Sequence, residues 1–403
     1  MKSIVPALLA LAVVASVQAA DTVVSGRTVK FGKRDVLENL IITDGGKAVM
    51  DRTVVTGNIE ITSGGKLVAE EISVGGNIHA DGAAWVQVFS STITGAVDIV
   101  NSSGGIWLFD NEVDGNAAID GNDADFISVE WSHFFGDLRI LNNEVDEDIS
   151  VLVNDVELEM EIDNNSAKFI DVIDDIVIGN ARVTNNEARD GIRVSENQFI
   201  GLDLDVSSNL SESLEVKRNG VIGGLFVNLN ETDEDIEVKH NDYVGLNLEV
   251  NDNIGDDIEV KDNGVLASIF VQRNQASGEI KVTENGFIGA DLNVSNNEAK
   301  SVEVEEENYV IGNLLVEGNS VSNHVNVKDN SVEGNLLFDD NRAESMKVKD
   351  NLIGLNLRLL NNLAEDEIEV EDNVVLGNIE CSGNDPDPAL DDNEVTGSVV
   401  CSD

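Results

Sequence analysis

The sequence predicts an all-β fold, a single-stranded parallel β-helix in which one chain winds into stacked coils. Three observations predict it. In the most regular stretch, asparagine recurs every 10 or 11 residues, at Asn308, Asn319, Asn330, Asn341 and Asn351. Between the asparagines, apolar residues alternate with polar ones, which is the period of a β-strand. A unit of about 22 residues cannot bury its apolar face alone, so neighbouring units must stack to form a core.

A glycine before an apolar strand marks the coils. It recurs from Gly57 to Gly397 at steps of 19–23 residues, and Leu158 and Ala267 hold the position in two coils that lack it. Counting both predicts about 17 coils. Since no break in composition interrupts them, we expect one elongated domain over residues 45–403, with a core that grows along one axis.

The first 20 residues are typical of a secretory signal peptide. Lys2 precedes an apolar stretch from Ile4 to Val17, and Ala19 and Ala20 offer a cleavage site. We therefore expect an exported protein, secreted or at the cell surface, and periplasmic if the cell is Gram-negative. No later stretch of the sequence is apolar enough to cross a bilayer.

Residues 21–44 are predicted to form an N-terminal cap. Arg27, Lys30, Lys33 and Arg34 cluster there, in a chain with only 25 Lys and Arg. The end of a solenoid needs a polar cover over its first coil. We interpret this basic group as the solvated surface of the cap.

The formal charge of −52 narrows the choice of partners. Nucleic acids and anionic membranes are excluded, because both would be repelled. Cations or a basic partner are favoured. A charge of this size is also common in proteins from salty surroundings, where screening weakens self-repulsion.

Two columns of asparagine follow from the coil length. One contains Asn308, Asn330, Asn351 and Asn373, and the other lies half a coil away. A turn residue often adopts the left-handed conformation, which asparagine tolerates better than other non-glycine residues. Stacked amides also bond to one another along a column. We interpret the asparagines as structural, with binding as the alternative.

This combination of coil length, apolar alternation and asparagine turns resembles the right-handed parallel β-helix repeat proteins, the superfamily that contains pectate lyases and many bacterial surface and phage proteins. The resemblance covers residues 45–403 and implies a right-handed helix, which the periodicity itself does not predict. The hexapeptide signature of left-handed helices is absent from the sequence.

The polysaccharide-cleaving members of that superfamily imply an enzyme as the alternative function, with acidic groups, often Ca²⁺, and a basic residue in a groove on one sheet. Outward charged residues do stack here, as Glu215, Glu237 and Glu259 beside Lys217, Lys239 and Lys261. Columns of both signs are typical of a solvated sheet face. The sequence carries no catalytic triad, P-loop or zinc motif, and we expect a protein that is not an enzyme.

A turn rich in carboxylates is the candidate metal site. Asp233 and Asp235 occupy this turn in one coil, and Asp256 and Asp257 occupy it in the next. Ca²⁺ prefers flexible sites rich in oxygen, so one ion between the two coils is the hypothesis. A hydrated acidic edge is the alternative.

All three tryptophans, Trp85, Trp107 and Trp131, fall within residues 83–135, together with Phe134 and Phe135. Clustered aromatic side chains are candidates for stacking on a sugar, and this is the ligand site we predict. Filling the core of the early coils is the alternative, and the one the sequence favours.

The only two cysteines, Cys381 and Cys401, lie 20 residues apart in equivalent strands, which is one coil. Adjacent strands are about 4.8 Å apart, within the Cα separation of roughly 4.4–6.8 Å that a disulfide allows. We predict a structural disulfide that holds the last coil, with two reduced thiols as the alternative.

The sequence thus predicts an exported, acidic, non-catalytic β-helix with a structural, adhesive or surface-recognition role. Its partner would be a polysaccharide or another component of a cell surface. The alternative is a carbohydrate-active protein that binds or cleaves a polysaccharide along one sheet.

Overall fold

The computed structural model describes residues 21–402 as a parallel β-solenoid of about 18 coils. That range contains no helix, and every pair of neighbouring strands is parallel. The predicted signal peptide, residues 1–20, lies outside the described residues. Each coil contributes to three sheets, which we number 1, 2 and 3 in the order in which the chain passes through them.

Sheet 1 follows the position that glycine holds in most coils and has 19 strands. Its strands are Thr22–Ser25, Leu40–Thr43, Ile59–Thr62, Ile78–Asp81, Val97–Val100, Ala117–Asp120, Leu138–Leu141, Met160–Asp163, Ala181–Thr184, Leu204–Ser207, Leu225–Asn228, Leu248–Asn251, Ile269–Gln272, Leu292–Ser295, Leu314–Glu317, Leu336–Asp339, Leu357–Leu360, Ile379–Ser382 and Val399–Ser402.

Sheet 2 comes next, and in many coils a short strand precedes a longer one. Its strands are Thr28–Phe31, Lys47–Asp51, Lys66–Glu70, Trp85–Phe89, Ile106–Phe109, Asp123–Ala124, Ile127–Glu130, Glu144–Val145, Ile149–Leu152, Ser166–Ile173, Glu187–Ser195, Leu210–Ser211, Leu214–Lys217, Glu231–Thr232, Ile236–Lys239, Ile254–Gly255, Ile258–Lys261, Gln275–Ala276, Glu279–Thr283, Glu298–Ala299, Ser301–Glu305, Ser320–Val321, His324–Lys328, Arg342–Lys349, Leu363–Glu371 and Ala389–Asp391.

Sheet 3 closes each coil with a strand of two residues. Its strands are Val36–Leu37, Val54–Val55, Ser73–Val74, Thr92–Ile93, Glu112–Val113, His133–Phe134, Asp155–Val156, Ile176–Val177, Phe199–Ile200, Gly220–Val221, Tyr243–Val244, Gly264–Val265, Phe287–Ile288, Tyr309–Val310, Ser331–Val332, Leu352–Ile353, Val374–Val375 and Glu394–Val395.

The core is a column of aliphatic side chains from all three sheets. In one coil Val332, Leu336 and Phe338 point inward and are at most 2% exposed, while Glu333, Asn335 and Leu337 between them are partly or fully exposed. The predicted alternation is confirmed. Sheet 1 runs in register from coil to coil, so the same aliphatic positions stack along it. Sheet 2 shifts register between Ala167 and Phe169 and between Ala343 and Ser345.

The coil count is confirmed, but the solenoid begins earlier than residue 45. The sheet 1 strands Thr22–Ser25 and Leu40–Thr43 precede Gly57, which leaves 17 of the 19 strands after it, as predicted. Both pair in parallel with the following coils. Residues 21–44 therefore carry coil structure themselves, and their role as a cap stays a prediction.

The repeated glycine is required by close packing between coils. A Cβ atom on Gly245 would lie 2.0 Å from the carbonyl oxygen of Ile222 in the preceding coil, and one on Gly57 would lie 2.2 Å from the Asn39 side chain. Neither glycine has a positive φ. The glycine thus allows one turn to rest on the next.

The two predicted asparagine ladders are present and buried. Asn330 is 2% exposed, and its amide Nδ2 donates to Val304 O at 2.8 Å and to Asn351 Oδ1 at 3.1 Å. Its Oδ1 accepts from Asn308 Nδ2 at 2.8 Å. Asn351 and Asn373 repeat this pattern one and two coils further along. Each amide thus joins its coil to both neighbours.

Of the two predicted reasons for asparagine in these turns, amide bonding along the column is confirmed and the left-handed conformation was wrong. The left-handed residue is the one before each ladder asparagine, such as Asp329 at φ 56° before Asn330 or Asp372 at φ 55° before Asn373. That position is solvated and accepts Asp, Glu, Arg and His as well. The asparagine itself is selected because its buried amide both donates and accepts along the column.

A third ladder, at the turn from sheet 3 to sheet 1, was not predicted. Asn335 N donates to Asn313 Oδ1 at 3.0 Å, and Asn356 N donates to Asn335 Oδ1 at 3.1 Å. Aspartate can replace asparagine here, as Asp203 does for Gly224 N at 2.8 Å. The repeated Gly-Asn dipeptide was the available signal in the sequence.

The two cysteines lie where they were predicted. Cys381 and Cys401 are register partners in the last two strands of sheet 1, with their Cα atoms 4.4 Å apart, and they form a disulfide. The link joins the final strand to the coil beneath it.

Candidate functional site

Five aromatic side chains lie on the outer face of sheet 2 as a contacting pair and a contacting group of three, and we call the five the aromatic patch. Strand Trp85–Phe89 points Val86 and Val88 into the core, so Trp85 and Phe89 face outward. Strand Ile106–Phe109 does the same with Trp107 and Phe109. The patch consists of Trp85, Phe89, Trp107, Phe109 and Phe126, all partly exposed.

The rings of the aromatic patch pack edge to face. The centroids of Phe89 and Trp107 are 5.0 Å apart at 84°, and those of Trp85 and Phe126 are 5.8 Å apart at 82°. Phe109 lies within 6.4 Å of Trp107 and 6.3 Å of Phe89. Edge-to-face contacts contribute roughly 0.5–1.5 kcal/mol per pair beyond burial, so the rings hold one another in place.

Gly105 allows Trp85 and Phe126 to meet although they belong to coils that are not adjacent. A Cβ atom on Gly105 would lie 2.5 Å from the Phe126 ring and 2.9 Å from Trp85. The residue between them in the column must therefore lack a side chain. The patch extends over three coils because of this glycine.

The sequence-based preference for core filling was wrong for the tryptophans. Trp85 and Trp107 lie on the outer face, and Trp131 is 59% exposed. Only Phe134 of this segment enters the core, at 0% exposure, whereas Phe135 is 38% exposed. The narrow core of these coils holds the Phe134 ring, and the other aromatic side chains of the segment lie on the outside.

Trp131 is not part of the aromatic patch, although it was predicted with the other two tryptophans. It occupies a left-handed position at the corner between sheets 2 and 3, with φ 54°. Its neighbours at that corner are Ser90, Asp110 and His133, which line a shallow polar depression with it. The structure therefore brings Trp85 and Trp107 together and leaves Trp131 apart.

A small depression continues the outer face of sheet 2 beyond the patch. It has a volume of about 260 Å³ and is lined by Phe169, Asp171, Arg193 and Ser213, among others. Arg193 contacts Asp171 through two hydrogen bonds of 3.1 and 2.9 Å. Phe169 lies in the same outward column as Trp85 and Phe126, since Ile127 and Ile170 are both register partners of Ile149. Aromatic and polar groups therefore follow one another along this face.

Further along sheet 2 the outer face carries mostly charged side chains. Glu237 stacks between Glu215 and Glu259, and Lys239 between Lys217 and Lys261, as predicted. Lys239 contacts Glu237 at 2.9 Å and also pairs with Glu259. Burial acts to raise the pKa of Glu237, but its hydrogen bonds to Lys217 and Lys239 outweigh this and lower it. The like charges stack because Lys217 and Lys239 each bridge two glutamates.

The acidic turn brings Asp235 and Asp257 into one column, but their carboxylates already have partners. Asp257 N donates to Asp235 Oδ1 at 3.2 Å, and Glu279 N donates to Asp257 Oδ1 at 2.7 Å. Asp256 bonds to the Ser277 hydroxyl of the next coil. These aspartates therefore connect turns in the way the asparagine ladders do.

Within residues 21–402, no group of three or more His, Cys, Asp or Glu side chains is placed to hold a metal ion. Calcium binding by Asp233, Asp235, Asp256 and Asp257 stays a prediction, to be checked by melting at constant ionic strength with calcium or chelator. The same part of the chain has no helix with the length and apolarity that a bilayer crossing needs.

Comparison with known proteins adds no family to these observations. No protein-family model matches the chain, and a search of curated proteins finds no significant match. The β-solenoid fold and the surfaces it presents are therefore the basis for a function.

Proposed function

We propose that the protein is an exported, non-catalytic β-solenoid that recognises a polysaccharide at a surface through the aromatic patch. One observation carries the proposal. Five of the 17 aromatic residues sit together on the outside of sheet 2, where the fold does not need them.

The arrangement of the rings supports a sugar as the ligand. Carbohydrate rings have apolar C–H faces and polar edges, and fixed aromatic rings offer a surface for such faces. Successive outward positions in one column are about 4.8 Å apart, and four such steps separate Trp85 from Phe169. The patch and the depression at Phe169 therefore form a strip about 20 Å long. A strip of that shape suits a chain ligand better than a single small molecule.

The polar groups beside the rings would fix the orientation of the ligand. Arg193 and Asp171 offer donors and acceptors to sugar hydroxyl groups at the far end of the strip. A few placed polar groups on an apolar surface are typical of binding sites. The formal charge of −52 favours a neutral or cationic polysaccharide over an acidic one.

Recognition without catalysis fits the regularity of the rod. The coils at the aromatic patch keep the register of their neighbours, and the register shift in the strip lies between Ala167 and Phe169. Beside rings and serines the strip carries the carboxylates of Glu130 and Asp148 and the Arg193–Asp171 ion pair. Export is consistent with the disulfide, since such bonds persist in oxidising compartments.

The experiment compares Trp107→Ala with Trp131→Ala on a glycan array of neutral, cationic and acidic polysaccharides. Titration calorimetry then follows with the polysaccharide that binds best. Trp107→Ala should weaken binding by on the order of 30-fold, as for a central aromatic contact. Trp131→Ala removes an exposed indole outside the aromatic patch and should bind as the wild type does.

Three results would overturn the proposal. The wild type could bind no glycan on the array, or both variants could bind equally well. Alternatively, Trp107→Ala could lose binding together with its melting transition, which would show that the residue is structural. Release of shortened oligosaccharides by the wild type would instead support the carbohydrate-cleaving alternative.

A further inference from the structure

Sheet 3 carries an apolar surface that neither the core nor the proposed glycan site uses. It covers the ten coils from strand Ile176–Val177 to strand Val374–Val375, and we call it the apolar stripe. In each coil it comprises the outward residue of the strand and the two turn residues that follow, while the other strand residue, such as Val177, lies in the core. Glu333 is the only charged residue among these positions, in a chain that is 25% charged.

The side chains of the apolar stripe are large and exposed. Ile178, Leu202, Leu246, Leu266, Leu355 and Leu376 are each 49–57% exposed. They lie along one edge of sheet 3, and Phe199, Tyr243 and Phe287 form a second column beside them at 37–43% exposure. Apolar patches of this extent on a soluble protein usually mark a contact surface.

The earlier coils show that the fold does not require this composition. At the same positions they carry Glu112, Asp114, Asp155 and Glu157. The backbone there follows the same register in sheet 3. The apolar residues from Ile176 onward are therefore a property of the surface and not of the coil.

We propose that the apolar stripe is the contact between two copies of this chain, packed with their sheets 3 face to face and their axes antiparallel. Ten strands spaced about 4.8 Å apart give a length of about 43 Å. In each coil the contact spans the four residues from the strand to the turn and the two residues before them, which include the charged residue at the corner between sheets 2 and 3. Six residues at about 3.3 Å each give a width of about 20 Å. The product, on the order of 850 Å², matches the roughly 800 Å² per partner of a stable interface.

The stripe is complementary to itself in this orientation. A two-fold axis at its centre, between Gly264 and Phe287, places the Phe287 ring over the Gly264 of the other copy. Tyr243 then faces Tyr309. A surface that meets its own copy about a two-fold axis must pair residues reciprocally in this way.

The charged row beside the stripe supports the same register. This row holds the left-handed residues at the corner between sheets 2 and 3. The two-fold axis brings Arg218 opposite Asp329 and His240 opposite Glu306. The remaining pairs, such as Asp262 with Glu284, are acidic, so association should strengthen as salt screens them.

Other occupants fit this surface less well. Anionic lipid would be repelled by the acidic row and by the net charge. A polysaccharide would find few hydrogen-bonding groups, since Tyr243, Tyr309, Ser331 and Glu333 are the polar side chains among the stripe positions. A second copy needs only apolar contact and the two complementary pairs.

Sedimentation equilibrium on the full mature chain tests the proposal. The wild type should be a dimer at micromolar concentration, tighter in high salt than in low salt. Leu246→Lys combined with Leu266→Lys should raise the dissociation constant on the order of 100-fold or more, because both changes lie near the centre of the interface. Leu210→Lys combined with Leu229→Lys is the control, since both leucines are exposed, at 47% and 61%, and lie outside the stripe.

A charge exchange tests the register. Arg218→Asp alone and Asp329→Arg alone should each weaken the dimer by about twofold to fivefold, and the double exchange should restore it. Circular dichroism melts of each variant separate dissociation from unfolding. Glycan binding should be unchanged in every variant, so this test can fail while the proposed function holds.

A wild type that stays monomeric at 100 µM in both salt conditions would overturn the proposal, and so would a stripe variant that dimerises like the control. Pelleting of a monomeric wild type with phosphatidylcholine vesicles, lost in the stripe variant, would assign the surface to lipid and also overturn it. Dimers that the charge exchange fails to restore would overturn the register.

Discussion

The first coils and the later coils share one interior and differ on the outside. Around Trp107, sheet 2 presents aromatic rings and sheet 3 presents polar side chains. Around Lys239, sheet 2 presents ion pairs and sheet 3 presents the apolar stripe. The core alternates in the same way in both regions. Binding surfaces in this molecule are therefore found where the outer face changes while the coil stays constant.

The two ends of the rod differ most in how they are fixed. We expect removal of the disulfide by Cys381→Ser and Cys401→Ser to cost the last coil about 3 kcal/mol, as for closing a loop of similar length. The disulfide holds only the last strand to the coil beneath it, so strand Val399–Ser402 should lose protection from exchange and the other strands should not. Hydrogen exchange monitored by mass spectrometry measures this strand by strand.

Strand Thr22–Ser25 is the internal control for that experiment, because its protection should not change. Equal losses in all coils would show that the disulfide stabilises the whole rod and not its end. Alkylation of the denatured, unreduced wild type checks the bond directly. Addition of two alkyl groups before reduction would mean that the bond does not form in the cell.

The ladders also differ between the two regions, since early coils use serine where later coils use asparagine. Ser132 Oγ accepts from Asn111 N at 3.1 Å and donates to Glu130 O at 3.0 Å, so it contacts one neighbouring coil. Asn330 is bonded to both neighbours. We expect Asn330→Ala to cost on the order of 1–3 kcal/mol, because it leaves buried partners unsatisfied, and Ser132→Ala to cost less. Urea denaturation of both variants measures the difference.

Equal costs for the two substitutions would remove this distinction between early and later coils. Glycan binding serves as the second readout. Asn330→Ala should bind as the wild type does, because Asn330 is buried. A loss of binding at unchanged stability would show that the ladder belongs to a site.

The sequence predicted the interior of this molecule better than its surface. Period-two alternation and the spacing of Asn308, Asn330 and Asn351 are set by backbone geometry, so the coils and their number could be read directly. The alternation within strand Trp85–Phe89 already indicated its orientation, because Trp85 and Phe89 lie on the same face of the strand as the polar Gln87. The tryptophans were predicted to fill the core because they are large, although their place in the alternation was stronger evidence for the outer face.

Other features had a less regular pattern in the sequence. The third ladder mixes asparagine, aspartate and serine, because a carboxylate or a hydroxyl accepts the same backbone N–H. The apolar stripe alternates between two turn positions, as in Ile222-Gly223 and Gly245-Leu246, because each glycine leaves room for the turn of its neighbour. Such a pattern becomes visible only when the coils are aligned in space.

Asp175 lies where the early coils meet the later ones, and it is the one aspartate among the buried asparagines of its ladder. Its Oδ1 accepts from Asn154 N at 2.6 Å and Nδ2 at 3.0 Å, while its Oδ2 is buried without a partner. In the coils on either side, the asparagine nitrogen at that place donates to a carbonyl, as Asn197 does to Val172 O. A protonated Asp175 can donate in the same way, and an ionised one cannot.

Burial raises the pKa of Asp175 well above its ordinary value of 3.8, and the nearby carboxylates of Asp174 and Asp155 raise it further, against the hydrogen bonds from Asn154. The stability that the protonated form contributes is therefore fully present below pH 3.8 and is lost as the pH rises through the raised pKa. Asp175→Asn supplies the missing donor at every pH. We expect this variant to be more stable than the wild type by about 1–2 kcal/mol at neutral pH, with a difference that shrinks toward pH 4. Urea denaturation across pH 4–8 measures it, and Asn197→Asp should show the opposite trend. A constant difference at all pH values would mean that Asp175 keeps its charge in the folded protein, and the junction would then hold a buried carboxylate that this ladder has no means to neutralise.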